Sequence, residues 1–89
     1  MQDGLGLYFF MKKILFIEDE SSLQKALGDI LRENNYEVIS ALDGEIGLRL
    51  AKSEKPDLIL LDIILPKMNG IEVLKALKEN PETKNISVV

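Results

Sequence analysis

The fold is decided by two short stretches of the sequence, KILFIEDE at residues 13–20 and DLILLD at residues 57–62. Each contains four consecutive apolar residues, at 14–17 and at 58–61, with charged residues on both sides. A short, continuous apolar run of this kind is typical of a strand that is buried on both faces, as in a parallel sheet. Both runs lead directly into acidic residues, Glu18-Asp19 after the first and Asp62 after the second.

A helix is predicted directly after the first run. Ser21 and Gln24 fit a capping box at its start, and Asn34-Asn35 ends it. Its apolar residues recur at helical spacing along one stripe: Leu23, Ala26, Leu27, Ile30 and Leu31.

Two more helices are predicted from their capping residues. Asp43 is expected to cap a helix that runs to about residue 53, and Asn69 with Glu72 begins a third helix that ends at residues 80–81. Two further short strands are predicted at residues 36–41 and 86–89. Strands that alternate with helices of this length indicate right-handed βαβ units and a parallel sheet with helices on both faces. The predicted fold class is therefore α/β.

The composition of the chain excludes several classes of function. The chain has 89 residues, room for one small domain, and no cysteine, which excludes disulfides and a thiolate site. Its net charge is −4 and its basic residues are scattered, so we expect this segment to bind neither nucleic acid nor a membrane surface. Residues 1–10 are apolar in part but lack the basic region and cleavage site of a signal peptide. We expect residues 1–10 to be an N-terminal extension or leader, residues 11–89 to form the domain, and the protein to be cytoplasmic.

The acids at the strand ends are the candidate site. Ligands bind beyond the carboxyl ends of the strands of an open parallel sheet, so Glu18, Asp19 and Asp62 should meet in one cleft if their strands are neighbours. Mutual repulsion would raise their pKa values unless a cation holds them together, and an all-oxygen set suits Mg²⁺. We expect Asp19 to be a direct ligand and Glu18 a ligand through water, with the backbone carbonyl of Ile64 in reach of the ion. Asp62 has the position of a nucleophile in phosphoryl transfer. Taken singly, each acid is better explained as a helix cap or a solvated loop residue than as part of a site.

Three segments taken together carry a family resemblance. Residues 13–20, residues 57–62 and the loop LPKMNG at residues 65–70 resemble, in order and spacing, the landmark segments of bacterial response-regulator receiver domains. The resemblance implies a flavodoxin-like, three-layer fold with strand order 2-1-3-4-5, of which this chain holds about three βα units and a fourth strand. It also implies that Asp62 accepts a phosphoryl group from a histidine kinase, with Mg²⁺ held by Asp19, Asp62 and the Ile64 carbonyl.

The same resemblance implies that the domain is incomplete in this chain. The hydroxyl residue that follows the family's fourth strand and the lysine that follows its fifth would lie beyond Val89. Phosphotransfer is then expected to be slow, and an open sheet edge is expected to favour a homo-oligomer. The alternative function is a receiver-derived fragment that folds by self-association and has little or no phosphotransfer activity. The sequence identifies neither an output domain nor another partner protein.

Two independent enzymes on a similar sheet are disfavoured. An aspartyl phosphatase usually has a second Asp two residues after its nucleophile, where this chain has Ile64. A flavin carrier would need a Gly-rich or Ser/Thr-rich phosphate loop after the first strand, and the sequence there is acidic.

Overall fold

A computed structural model describes residues 11–62, 65 and 68–89. The predictions for the extension at residues 1–10 and for the Ile64 carbonyl lie outside the described residues. The elements of the described part, in chain order, are β1 (Lys13–Ile17), α1 (Ser21–Glu33), β2 (Glu37–Ala41), α2 (Gly44–Glu54), β3 (Leu58–Leu61), α3 (Gly70–Glu79) and β4 (Ser87–Val88).

The four strands form one parallel sheet in the order β2-β1-β3-β4. Ile17 at the end of β1 lies opposite Ala41 on β2 and opposite Leu61 on β3, so these three strands end at the same level. The prediction of an α/β fold is confirmed, and the order of the four strands agrees with the one that the resemblance implies. β1 and β3 are neighbours in the sheet, as they must be if the acids that follow them, Glu18, Asp19 and Asp62, are to meet in one cleft.

Helices cover both faces of the sheet. The crossover from β1 to β2 runs toward one edge and the crossover from β2 to β3 runs back past β1, so right-handed connections place α1 and α2 on opposite faces. The main core lies on the face of α2 and α3. There, fully buried strand residues meet buried residues of the two helices: Leu15, Ile17, Ala41, Ile59, Ala51, Val73 and Leu77.

Gly47 allows α2 to approach β1 closely. A Cβ atom at this position would lie 2.5 Å from Cδ1 of Ile17, closer than two carbon atoms can approach without displacement. The low helix propensity of glycine is therefore offset by packing of the helix backbone against the strand.

The predicted caps of α2 and α3 are confirmed. Asp43 Oδ1 accepts a hydrogen bond from the backbone nitrogen of Ile46 at 2.9 Å. Asn69 and Glu72 form a reciprocal capping box, in which each side chain accepts a bond from the other residue's backbone nitrogen, at 3.0 and 3.4 Å. The last strand is shorter than predicted, since regular pairing covers only Ser87–Val88.

The predicted capping box of α1 is wrong. The N-cap is Glu20, which makes no side-chain cap hydrogen bond, and Gln24 is buried against the sheet instead. The apolar stripe of this helix lies largely at the surface, with Leu23 and Leu27 each 38 % exposed and Ile30 53 % exposed. Gln24 and Gly28 are the buried residues of α1, and the Gln24 amide nitrogen contacts carbonyl groups at the ends of the strands.

In the part of the chain that the structure describes, no helix has the length and apolar character needed to cross a membrane.

Candidate functional site

Three acidic side chains meet at the carboxyl edge of the sheet. Glu18 and Asp19 directly follow β1, and Asp62 directly follows the neighbouring strand β3. One carboxylate oxygen from each residue lies within 4.8 Å of the others. The structure thus brings together the three acids that the sequence singled out, while the Ile64 carbonyl stays a prediction.

The backbone under these acids is held by the sheet. The backbone nitrogen of Glu18 donates to the carbonyl oxygen of Ala41 at 3.0 Å. The backbone nitrogen of Asp62 donates to the carbonyl oxygen of Ile17 at 3.1 Å. Each bond continues the pairing of parallel strands one residue past the last strand position. Glu18 and Asp62 therefore start from ordered backbone, although they lie outside the strands.

The three carboxylates differ in exposure. Glu18 is only 6 % exposed, Asp62 is half-buried and Asp19 is exposed. The cluster is therefore anchored at its buried end and open to solvent at Asp19. An open, all-oxygen donor set fits a hard cation such as Mg²⁺, which retains several water ligands.

Burial raises the pKa of Glu18 above its ordinary value and is the largest influence on it. The backbone nitrogen of Glu20 donates to Glu18 Oε2 at 3.0 Å and acts in the opposite direction. The negative charge of Asp62 and hydrogen bonding with the Asp19 and Asp62 side chains raise the pKa of Glu18 further. A bound cation would reverse this penalty, because it favours the ionised carboxylates.

One residue next to the site was misinterpreted from the sequence. The side-chain nitrogen of Gln24 lies within hydrogen-bond distance of the carbonyl oxygens of Phe16, Ala41 and Glu18. The only sequence signal was a single polar residue beside an apolar helical stripe, and that signal fits a capping box equally well.

A family model for the response regulator receiver domain matches residues 14–89 of the chain. The chain belongs to the response regulator receiver family. It is a receiver domain of a two-component response regulator, as the resemblance of its three segments predicted.

Curated relatives agree with this assignment. The receiver chain is 52 % identical over 68 residues to the alkaline phosphatase synthesis transcriptional regulatory protein PhoP of Bacillus subtilis, which covers 76 % of this chain and 28 % of that protein. It is 38 % identical over 78 residues to the polar-differentiation response regulator DivK of Brucella anthropi, covering 88 % and 63 %. The chain thus spans less than two thirds of the length of these relatives.

Solved structures give the same fold. The N-terminal domain of a response regulator receiver protein from Methanoculleus marisnigri superposes with a TM-score of 0.83 at 34 % identity, covering 85 % of this chain and 62 % of that one. The receiver domain of a sensor histidine kinase from Pseudomonas aeruginosa, solved with a magnesium ion coordinated in its active-site cleft, gives 0.84 at 26 % identity, covering 88 % and 64 %. The predicted flavodoxin-like fold is confirmed.

Proposed function

We propose that this receiver domain takes a phosphoryl group from a histidine kinase onto Asp62 in a reaction that depends on Mg²⁺. The observation that carries the proposal is the meeting of the Glu18, Asp19 and Asp62 carboxylates within 4.8 Å at the carboxyl ends of β1 and β3. Membership of the receiver family supports it, and so does the magnesium ion in the active-site cleft of the Pseudomonas aeruginosa relative.

Asp19 and Asp62 are assigned as direct ligands of the ion and Glu18 as a ligand through water, with the Ile64 carbonyl as a further ligand. Their oxygen donors and the exposed position of Asp19 fit this assignment. When bound, Mg²⁺ supplies positive charge that offsets the charge of the carboxylates and of the phosphoryl oxygens.

Asp62 is the acceptor because it combines access with a fixed backbone. Its side chain is half-buried, so a donor can approach, while the bond from its nitrogen to the Ile17 carbonyl holds the Asp62 backbone in place. One carboxylate oxygen of Asp62 forms a bond to phosphorus, and the bond from phosphorus to the histidine nitrogen of the kinase breaks, leaving its electron pair on that nitrogen. Positioning and charge account for most of the catalysis in such a transfer.

Incubation with acetyl phosphate and Mg²⁺, followed by intact mass spectrometry, tests this proposal. We expect one phosphoryl adduct on the chain, its loss when Mg²⁺ is chelated, and no adduct on Asp62→Asn. Asp57→Asn is the matched control, because Asp57 lies at the opposite end of the same strand and accepts a hydrogen bond from the backbone nitrogen of Lys13. Absence of an adduct on the unchanged chain, or its persistence on Asp62→Asn, would refute the assignment.

Further parts of the proposal concern the chain as a whole. We assign residues 1–10 to an N-terminal extension and residues 11–89 to a partial receiver domain in a cytoplasmic protein, and we propose that this segment itself binds no nucleic acid. Neither the fold nor the comparisons favour the alternative of an inactive, self-associating fragment.

Homo-oligomerisation through the outer edge of β4 remains part of the proposal, because this two-residue strand borders the sheet and Val89 beside it is exposed. Size-exclusion chromatography with light scattering tests it, and a strict monomer at all concentrations contradicts it.

A further inference from the structure

Gln24 on α1 is a buried polar residue that the proposed chemistry does not use. Its side chain is 6 % exposed and faces the ends of β1 and β2. Its amide nitrogen lies 2.8 Å from the carbonyl oxygen of Phe16, 3.0 Å from that of Ala41 and 3.3 Å from that of Glu18. One side chain thus ties the helix to both strands directly below the acidic cluster.

The three acceptors fix the orientation of the amide. A rotation that exchanged the nitrogen and oxygen of Gln24 would place its oxygen against three carbonyl oxygens, so the nitrogen must face the strands. Among the described residues no donor lies within hydrogen-bond distance of Oε1, which is buried. Burial of an unsatisfied acceptor is unfavourable, so the bonds that the nitrogen makes must offset this cost.

These bonds extend the pairing of β1 with β2 past its last backbone contact. That contact runs from the Glu18 nitrogen to the Ala41 oxygen at 3.0 Å. The Glu18 carbonyl lies beyond the end of β2 and is 3.3 Å from the Gln24 nitrogen. Because this nitrogen carries two protons, its bond to Glu18 shares a proton with one of the two shorter bonds. Both peptide groups that flank the Cα atom of Glu18 are thereby held, one by the strand and the other by Gln24. The second of them also connects Glu18 to Asp19.

We propose that Gln24 is a positioning residue for the acidic cluster: it fixes the Glu18-Asp19 backbone so that both carboxylates face Asp62. The inference rests on the proposed function, since its consequence is tighter Mg²⁺ binding by this cluster. Outer groups that orient metal ligands typically contribute a factor of about 10 to 100 to metal affinity. Gln24 lies one step further out, because it acts through the backbone, so we expect the lower end of that range.

Gln24→Met tests the inference, because methionine has nearly the same length and no amide donor. We expect the Mg²⁺ affinity, measured by isothermal titration calorimetry, to fall about 10-fold. Thr83→Val is the matched control, since it removes a buried hydrogen bond from Thr83 Oγ1 to the Leu77 carbonyl, 2.7 Å long and distant from the site. Thr83→Val should destabilise the fold while leaving the Mg²⁺ affinity within about twofold. Equal affinity in Gln24→Met and the unchanged chain would overturn the inference.

Amide hydrogen exchange of the metal-free proteins separates this inference from the proposed function. We expect the amides of Glu18 and Asp19 to exchange faster in Gln24→Met than in Thr83→Val, when both are compared at equal global stability. If the unchanged chain binds no Mg²⁺ but the exchange difference is present, the proposed function fails and the positioning role stands. If Mg²⁺ binds and neither affinity nor exchange changes, only the positioning role fails.

A readout on the unchanged chain serves if Gln24→Met does not fold. The side-chain amide protons of Gln24 should exchange slowly, and their NMR shifts should move when Mg²⁺ is added, whereas those of the exposed Asn34 should not. Fast exchange, or shifts that do not respond to Mg²⁺ bound by the chain, would overturn the inference.

Discussion

Acidic residues stand at both ends of the two central strands, and the two ends use them differently. At the amino end, Asp57 Oδ2 accepts a hydrogen bond from the backbone nitrogen of Lys13 at 2.7 Å, and Glu54 Oε1 lies 3.3 Å from Lys13 Nζ. At the carboxyl end, Glu18, Asp19 and Asp62 face one another within 4.8 Å. At the amino end, Asp57 accepts from the backbone amide of Lys13 and Glu54 faces its ammonium group, whereas at the carboxyl end the three acids lie against one another.

The difference teaches that the neighbours of an acid, and not its residue type, indicate its role. Asp57 and Asp62 flank the same four-residue strand, β3, and both lie beside β1. Pairing with Lys13 ties the strand starts together and stabilises the fold. Burial raises the pKa of Glu18, the nearby carboxylates raise it further, and the ionised form of Glu18 therefore disfavours the metal-free folded chain. An arrangement that costs stability at one edge of a sheet is typical of a binding site.

The largest expected effect is a difference in Mg²⁺ affinity between a substitution at the carboxyl end of the strands and one at the amino end. Asp19→Asn should weaken Mg²⁺ binding by about 100-fold or more, because even groups outside the ligand shell contribute a factor of about 10 to 100. Asp57→Asn should leave the affinity within about twofold, since roughly 16 Å of extended strand separate Asp57 from Asp62 and salt screens charges at that distance. Calorimetric titration of both variants measures the contrast. Equal losses in the two variants would show that the ends are not distinct.

A second prediction concerns stability without metal. Because burial raises the pKa of Glu18, the folded chain binds this proton more tightly than the unfolded chain does. The metal-free protein therefore loses stability as the pH rises from the unfolded-state pKa to the higher folded-state pKa, and the whole loss is present above the latter. Glu18→Gln cannot ionise, so at neutral pH it should be more stable than the unchanged chain by about 1 kcal/mol, the usual size of a single-residue effect.

Urea denaturation in the presence of a chelator, at several pH values, measures this advantage of Glu18→Gln. It should shrink as the pH falls, and saturating Mg²⁺ should reduce or reverse it, because the ion stabilises the folded state of the unchanged chain. A Glu18→Gln variant that is less stable at neutral pH without metal would mean that burial does not disfavour the ionised form.

The sequence predicted the sheet and the acidic cluster because both depend on simple periodicity. The continuous apolar runs identified β1 and β3, and the rule that ligands bind at carboxyl strand ends selected Glu18, Asp19 and Asp62. The capping residues Asp43 and Asn69 placed the starts of α2 and α3, since a side chain that caps a helix acts within four residues. The strands and caps follow from local interactions, whereas the meeting of the acids also required β1 and β3 to be neighbours.

The sequence failed at α1 because the outcome there depends on distant residues. Gln24 can bond to its own helix or to another element, and the choice is made by carbonyl groups of β1 and β2 that no local pattern reveals. Periodicity likewise grouped Leu23, Leu27 and Ile30 on one stripe, but it contains no information on what covers that stripe. The pKa of Glu18 was inferred in direction from charge repulsion, whereas the structure assigns the larger part to burial.

The smallest expected effect is that of a substitution at the amino end, which tests whether the acids there contribute only weakly to stability. Glu54→Gln removes the charge that faces Lys13 Nζ but not the second acceptor of that group, the Glu54 carbonyl oxygen at 3.2 Å. The side chains are 28 % and 40 % exposed, and such pairs typically contribute only a few tenths of a kcal/mol. We expect a loss of about 0.3 kcal/mol in urea denaturation at low salt. The loss should disappear near 1 M salt, where the screening length is about 3 Å. Mg²⁺ affinity should not change. A loss above about 1 kcal/mol that persists in high salt would mean that the interaction of Lys13 with Glu54 is stronger than that of a typical surface ion pair. The amino-end acids could then no longer be treated as weakly interacting surface groups in the comparison with the carboxyl-end acids.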